Sequence, residues 1–385
     1  MRVGVDMISA GSGFAPAAGG MTTYYEGLAG TLPAVGGIEE VLAFLPPGLE
    51  HARIPAHPRL RLVHCDGLPA NRLGRVAYEH FRFPRRVAEA GANVLLCTHN
   101  VRPLRWRGPA VVVLQSMQYF FLHDRIGLAR RAYLRAAVPR SLRAAERVIA
   151  VTGAARDDAI ELFGLDPERV VAVHHGCSPW AIEAADRFSH DGPPPVPPPL
   201  DPKRPYVLNV SSLYGLKNHR RLIEAFAEAI RGTDRPHLLV IAGRDADVTA
   251  AELSGVATAA GIGDRVRLLG PYPQKHLPAL LANADLVAYP SLYETFGHLI
   301  LEAFAFGRPV LTASIGGASE VAADAAVKVD PMNVDSISAG LGALLTDRAL
   351  RESLVAAGER RLREFSWEKS ARGTARALRE AIDTH

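Results

Sequence analysis

Short runs rich in valine, isoleucine and leucine alternate along this chain with longer stretches in which apolar positions recur at helical spacing. Runs of the first kind read as strands and those of the second as amphipathic helices. In the first half the pattern predicts strands at Val3–Ile8, Val41–Leu45, Leu60–Val63, Val94–Cys97, Ala110–Leu114, Val148–Val151 and Val170–Val173. Helices are expected between them at Thr22–Leu32, Leu73–Ala90, Leu128–Ala145 and Ala154–Phe163. Alternation of this kind implies a parallel sheet with helices on both faces.

The pattern breaks at Asp191-Gly-Pro-Pro-Pro-Val-Pro-Pro-Pro-Leu-Asp-Pro202, which can join neither a helix nor a central strand. It reads as a linker over 191–204, between a first domain at 1–190 and a second at 205–366. The second series begins at once, with strands expected at Tyr206–Val210, Leu238–Ala242, Val266–Leu268, Leu286–Ala288, Val310–Thr312 and Ala326–Val329. Its helices are expected at His219–Ile230, Val248–Ala260, Lys275–Ala282, His298–Phe306, Val334–Leu345, Ala349–Glu364 and Glu368–Ile382. The fold class that follows is α/β: two doubly wound, Rossmann-like domains facing each other across a cleft. Ligands in such sheets bind at the carboxyl ends of the strands.

Length and composition agree with this reading. The 385 residues suit two domains, and 48% apolar with 22% charged residues excludes a disordered chain. No run of 18 apolar residues suggests a membrane span. Asp6 interrupts the apolar start, so the opening reads as a strand rather than a signal peptide. Cys65, Cys97 and Cys177 lie far apart with no metal-ligand spacing, as expected of reduced, buried thiols in a cytoplasmic protein.

The net charge of +4 hides an asymmetry: residues 1–190 contain no lysine, yet 70–150 hold fifteen arginines against four acids. Such a surface suits an anionic partner, phospholipid or a phosphorylated acceptor, although base composition with solvated helix faces would give the same excess. Nucleic acid is not expected, since no recognition motif accompanies the charge. Within this region Leu128–Arg147 could place Arg131, Arg135 and Arg143 on one helical side and Leu134, Val138 and Leu142 on an apolar side, with Pro139 kinking or dividing it.

The most informative segment is Tyr289-Pro-Ser-Leu-Tyr-Glu-Thr-Phe-Gly-His-Leu-Ile-Leu-Glu302. A strand ends, a loop follows, and a helix begins near Gly297. Backbone N–H groups of Phe296, Gly297 and His298 at that helix start favour an anion, and Gly297 permits close approach. Glu302 lies inside the otherwise apolar helix, where a carboxylate needs a hydrogen-bond partner; a ribose diol would serve, and so would an arginine. Glu294 could contact a ligand or simply cap the helix.

Glu294-Thr-Phe-Gly-His-Leu-Ile-Leu-Glu302, followed by Ala303-Phe-Ala-Phe-Gly-Arg-Pro-Val310, resembles the Glu-x7-Glu signature of retaining family-four glycosyltransferases with the GT-B fold. Val207-Leu-Asn-Val-Ser-Ser-Leu-Tyr-Gly-Leu-Lys-Asn-His219 resembles the family's strand-plus-Lys-Asn segment, and Gly316-Gly-Ala-Ser-Glu320 its Gly-Gly-x-x-Glu. Gly19-Gly-Met-Thr22 resembles its first glycine loop, Val173-His-His-Gly176 the motif before the linker, and Ser366-Trp367 the start of a final helix, about 367–385, that packs back on the first domain. The resemblance is specific in the second domain and loose in the first.

The resemblance implies a role for each matched position. Lys217 neutralises the donor diphosphate together with the helix start at Phe296–Gly297; His298 touches the sugar or simply starts the helix, and Leu299 belongs to the same donor site. Glu302 holds the ribose hydroxyls, and Glu294 contacts the transferred sugar. Gly20 gives the phosphate backbone access from the first domain. Many members carry a second basic residue at the position of Ser212 or Leu216, and a first-domain histidine where this chain has Gln115; His99 is the nearby alternative on the acceptor side. The activity implied is metal-independent, retaining transfer of a hexose from a nucleotide-diphosphate sugar, the co-substrate, to a sugar, glycan or lipid-linked acceptor. No separate cofactor is implied. The location expected is cytoplasmic, against the inner face of the membrane.

Two other functions fit the same pattern: a non-catalytic sugar-nucleotide-binding subunit, and a sugar-nucleotide epimerase of similar two-domain fold. A rival donor site also exists on paper. Asp245-Ala-Asp247 follows an apolar strand, and two carboxylates bracketing one residue can hold a divalent cation against a diphosphate.

Overall fold

The computed structural model of the chain describes residues 1–8, 20–47, 54–121 and 128–385. The chain divides into two compact units, Met1–Gly176 with Phe365–His385, and Cys177–Glu364. The division falls at Gly176 and Cys177, not in the proline-rich stretch. That stretch lies inside the second unit, because a helix the periodicity did not reveal, Pro179–Asp191, precedes it and packs there. Pro179, at the first helical position, has its φ already set for helix and lacks only an N–H that would have no partner there.

The first unit holds strands β1 (Arg2–Asp6), β2 (Glu40–Leu45), β3 (Leu60–His64), β4 (Val94–Cys97), β5 (Ala110–Leu114), β6 (Arg147–Ala150) and β7 (Val170–Ala172). They form one parallel sheet in the order β3-β2-β1-β4-β5-β6-β7. Its helices are α1 (Gly20–Thr31), α2 (Arg72–Phe81), α3 (Phe83–Glu89), α4 (Gln118–Phe121), α5 (Leu128–Ala144) and α6 (Gly153–Phe163). β4 and β5 are buried at every position, which explains their unbroken apolar runs.

Where one helix was expected over Leu73–Ala90, there are two. Pro84 sits in the first turn of α3 and cannot continue α2, since its ring would meet the carbonyl of His80. That carbonyl instead accepts the N–H of Arg105 at 3.3 Å. Pro139, by contrast, lies within α5 without dividing it, with Val138 and Leu142 buried on either side.

The second unit begins with α7 (Pro179–Asp191). Its strands are β8 (Tyr206–Val210), β9 (Leu238–Ala242), β10 (Val266–Gly270), β11 (Leu286–Tyr289), β12 (Val310–Ala313) and β13 (Val327–Val329), parallel in the order β10-β9-β8-β11-β12-β13. Its further helices are α8 (His219–Ile230), α9 (Ala250–Ala259), α10 (Leu277–Asn283), α11 (His298–Ala305), α12 (Gly316–Ala322), α13 (Val334–Thr346) and α14 (Arg348–Leu362). Val207, Leu239, Ile241, Leu286 and Leu311 from the strands meet Leu222, Phe226, Ile337 and Leu341 from the helices in one apolar core.

The last helix, α15 (Trp367–Asp383), belongs to the first unit. Trp367 stacks on His175 with ring centroids 5.6 Å apart and meets Tyr24 edge-on at 6.0 Å. Its carbonyl accepts from the Thr31 hydroxyl at 3.2 Å, and Glu380 pairs with Arg147 at 3.0 Å. The three cysteines are buried thiols.

Candidate active site

In each sheet the strand order reverses once, at β1/β4 in the first unit and at β8/β11 in the second. Connections leaving two such neighbouring strands go to opposite sides, which opens a crevice at their carboxyl ends. The candidate residues gather at these two places.

In the second unit the β8 connection makes one 3-10 turn, Gly215–Lys217, and ends at Asn218 in the left-handed region, with φ 62°. Asparagine adopts that region more readily than most residues. The buried Asn218 amide donates to the Pro290 carbonyl at 3.0 Å and the Pro331 carbonyl at 2.6 Å. The Leu292 N–H donates to Leu216 O at 2.7 Å. The bonds to Pro290 and from Leu292 tie the β8 connection to the β11 connection and so set Lys217 opposite Glu294, while the bond to Pro331 ties it to the segment after β13.

Lys217 Nζ donates to the Tyr289 hydroxyl at 3.0 Å and forms an ion pair with Glu294 Oε1. Both charged side chains are nearly buried, 12% and 7% exposed. Burial alone would lower the Lys217 pKa, but the Glu294 carboxylate and then Tyr289 more than reverse this and leave it above the ordinary lysine value. Lys217 is therefore a fixed cation. Tyr289, the last residue of β11, was not singled out in the sequence, because a tyrosine in an apolar run reads as core.

Glu294 is also held from behind. The Gly317 N–H donates to the Glu294 carbonyl at 3.0 Å, and α12 begins hard against this loop. A Cβ at Gly317 would stand 2.2 Å from the Thr295 carbonyl oxygen, a distance no side chain permits. The glycine pair at 316–317 is thus a packing requirement of the loop that carries Glu294.

α11 starts on Gly297, whose φ of 96° is open to glycine and strained for other residues. No side chain caps this helix start. Phe296 and Leu299 are buried beside it. Burial pulls His298 down to about 4, so its imidazole is neutral near pH 7. Inside the helix, Glu302 Oε1 accepts a hydrogen bond from Ser178 Oγ at 2.5 Å. Burial pushes the Glu302 carboxyl up to about 7, with the Ser178 bond acting in the opposite direction. The partner is a serine just before α7, not an arginine. Ser212 lies in the β8 connection, and its carbonyl accepts from the Tyr214 N–H at 2.7 Å.

The Asp-x-Asp rival has structural duties. Asp245 Oδ1 accepts the Ala250 N–H at the start of α9 at 3.0 Å, and Asp247 Oδ1 accepts the Gly215 N–H at 2.7 Å. The second of these supports the turn that carries Lys217.

In the first unit Gly20 is the exposed first residue of α1, while Gly19 lies outside the described residues. His99 follows β4. Its Nε2 meets the Tyr25 hydroxyl, and its Nδ1 lies 3.1 Å from Thr98 Oγ1. Thr98 has one proton and gives it to the Asp6 carbonyl, so Nδ1 donates and Nε2 accepts. Burial lowers His99 to about 4, in keeping with this neutral tautomer. Gln115 follows β5, and its N–H donates to Asn100 Oδ1 at 2.8 Å. Among the described residues, no three histidine, cysteine or carboxylate side chains cluster as a metal centre.

Both halves of the chain resemble known proteins. The profile "Glycosyl transferases group 1" matches residues 196–361, and "Glycosyltransferase Family 4" matches residues 18–179. This chain is a family 4 glycosyltransferase. Over 276 residues it is 30% identical to O-antigen chain mannosyltransferase B of Escherichia coli, covering 70% of each chain. Over 253 residues it is 34% identical to D-inositol 3-phosphate glycosyltransferase of Salinispora tropica; the match takes in 63% of this glycosyltransferase and about half, 52%, of that relative. The crystal structure of Anabaena Alr3699/HepE with UDP-glucose shares the fold, with a TM-score of 0.68 over 98% of this chain and 99% of that one, at 18% identity. The two-domain α/β architecture is of the GT-B type.

Proposed function

We propose that the enzyme transfers a hexose from a nucleotide-diphosphate sugar to an acceptor hydroxyl with retention of configuration and without a metal ion. The Lys217–Glu294 pair at the β8/β11 switch point carries this reading. Lys217 Nζ spends two N–H groups on Tyr289 and Glu294, and the third is directed to a donor phosphate oxygen. A preorganised cation in a nearly dry site stabilises charge as it develops on the leaving diphosphate. Glu294 holds the hexose hydroxyls, and Glu302 takes the ribose diol. The leaving phosphate accepts the acceptor's proton in a front-face displacement, so no protein nucleophile is called for. The acceptor, a sugar, glycan or lipid-linked hydroxyl, binds the first unit at the carboxyl ends of β1, β4 and β5, where His99 and Gln115 stand. Three buried thiols, none of them in a disulfide, suit work in the cytoplasm.

A panel of nucleotide sugars, read first by thermal shift and then by transfer assay, tests the proposal. The true donor raises the melting temperature in the presence of EDTA. Transfer also survives EDTA, and the Asp245→Asn/Asp247→Asn variant stays active. Activity lost in EDTA and restored by Mn²⁺ would return the diphosphate to the Asp-x-Asp loop.

Donor binding also carries a pH signature. The ligand-free Glu302 carboxyl is raised to about 7, and the ribose diol needs it ionised. Affinity for a nucleotide sugar therefore weakens as pH falls below about 7, by up to about tenfold per unit, and levels off above. The diphosphate of a nucleotide sugar is a diester with no secondary ionisation in this range, so the slope belongs to the protein. Titration calorimetry from acidic to alkaline pH checks it, and Glu302→Gln flattens the curve.

A further inference from the structure

The helix α2 is built inside out. Its buried residues are Tyr78 and His80, while Leu73 is 85% exposed and Phe81 46% exposed. Leu73, Ala77 and Phe81 are spaced at i, i+4 and i+8, so they form one outward apolar stripe, with Ala77 exposed between the two larger side chains. The inward polar side is committed: His80 Nε2 bonds the Tyr133 hydroxyl at 2.9 Å, and Nδ1 accepts the Leu104 N–H at 3.3 Å. This second bond brings Leu104, 68% exposed, beside Phe81, and Arg105 lays its guanidinium 4.9 Å above the Phe81 ring. Three large apolar side chains thus stand in water on one small surface.

The charge around them is mostly positive. Between Arg72 and Arg107 the sequence holds eight arginines and two acids, Glu79 and Glu89. Arg72, Arg82 and Arg105, all exposed, rim the stripe. The helix that the sequence favoured for such a role, α5, does not present this surface. Its Val138 and Leu142 are buried, and Arg143 is tied to the Phe163 carbonyl at 2.8 Å.

We infer that the outward face of α2, with Leu104 and its arginine rim, docks the first unit on an anionic phospholipid bilayer. Leucine and phenylalanine immerse at the boundary of headgroup and acyl chain, and the arginines meet lipid phosphates. Apolar side chains at the centre of a cationic rim match the two chemistries of that surface, and no described helix is long and apolar enough to cross the membrane instead. The inference stands apart from the donor reaction, since none of these residues belongs to the donor or acceptor site.

The test is co-sedimentation of the full chain with vesicles of phosphatidylcholine, with and without phosphatidylglycerol, at low and high salt. The chain pellets with the anionic vesicles, and salt weakens the binding. Leu73→Asp/Phe81→Asp lowers the bound fraction's partition constant by about tenfold or more, and Arg82→Glu/Arg105→Glu removes the salt dependence. Both variants keep the wild-type melting temperature and nucleotide-sugar binding, because the altered side chains face solvent. No pelleting with anionic vesicles at low salt, or pelleting unchanged in both variants, overturns the inference. So does a chain that is dimeric in gel filtration, becomes monomeric in Leu73→Asp/Phe81→Asp, and ignores vesicles.

Discussion

Replacing Lys217 by alanine lowers turnover by roughly 10²–10³-fold, the usual loss when one preorganised donor to a developing charge is deleted. The loss falls mainly on kcat, because the charge Lys217 meets is greatest as the diphosphate departs. The substitution also leaves Glu294, 7% exposed, without its cationic partner. An unpaired buried carboxylate costs about 3 kcal/mol or more, or takes up a proton instead. A lower melting temperature therefore accompanies the lost activity, and the two must be separated. Lys217→Arg does so. It keeps a cation beside Glu294 and restores the melting temperature, but its planar fork cannot place a single N–H on Tyr289, Glu294 and a phosphate together, so turnover stays low. Near-normal turnover in folded Lys217→Ala would move the diphosphate site elsewhere.

Glu302→Ala weakens nucleotide-sugar binding by about one to two orders of magnitude, from the loss of charge-assisted hydrogen bonds worth ~1.5–3 kcal/mol. Folding is not harmed. The carboxyl is raised by burial to about 7, so its ionised form is disfavoured in the folded chain and its removal relieves that cost near neutral pH. Ser178 loses its acceptor but sits before α7, whose start does not depend on its side chain. Calorimetry with nucleotide sugar and with free nucleotide measures the effect, and both ligands lose the same affinity because both carry the ribose. A variant that binds like wild type, or loses affinity for the sugar conjugate alone, would show that Glu302 does not hold the ribose.

Much of the architecture is readable without coordinates. β4, β5 and β9 are buried at every position, and that burial writes itself into their unbroken apolar runs. β8, β9 and α8 fall where the apolar periodicity ends them. The helix start at Gly297 is legible for a local reason too, since a glycine after a strand and loop marks a backbone turn open to few other residues. Breaks that depend on one residue's geometry, such as Pro84, were present in the sequence and were overrun by the amphipathic pattern around them.

What the tertiary structure decided are the pairings. Ser178 and Glu302 are 124 positions apart, Lys217 and Glu294 77, and Lys217 and Tyr289 72. Such partners are chosen by strand order, by which connections leave a switch point side by side, and periodicity carries no trace of either. The same holds for the unit boundary. Proline-rich composition tells where neither helix nor sheet can run, but which unit a segment belongs to depends on what it buries against, and α7 packs with the second unit. It holds again for α2, whose apolar stripe reads as core in sequence. Only the hydrogen bonds that draw His80 inward turn Leu73 and Phe81 toward solvent.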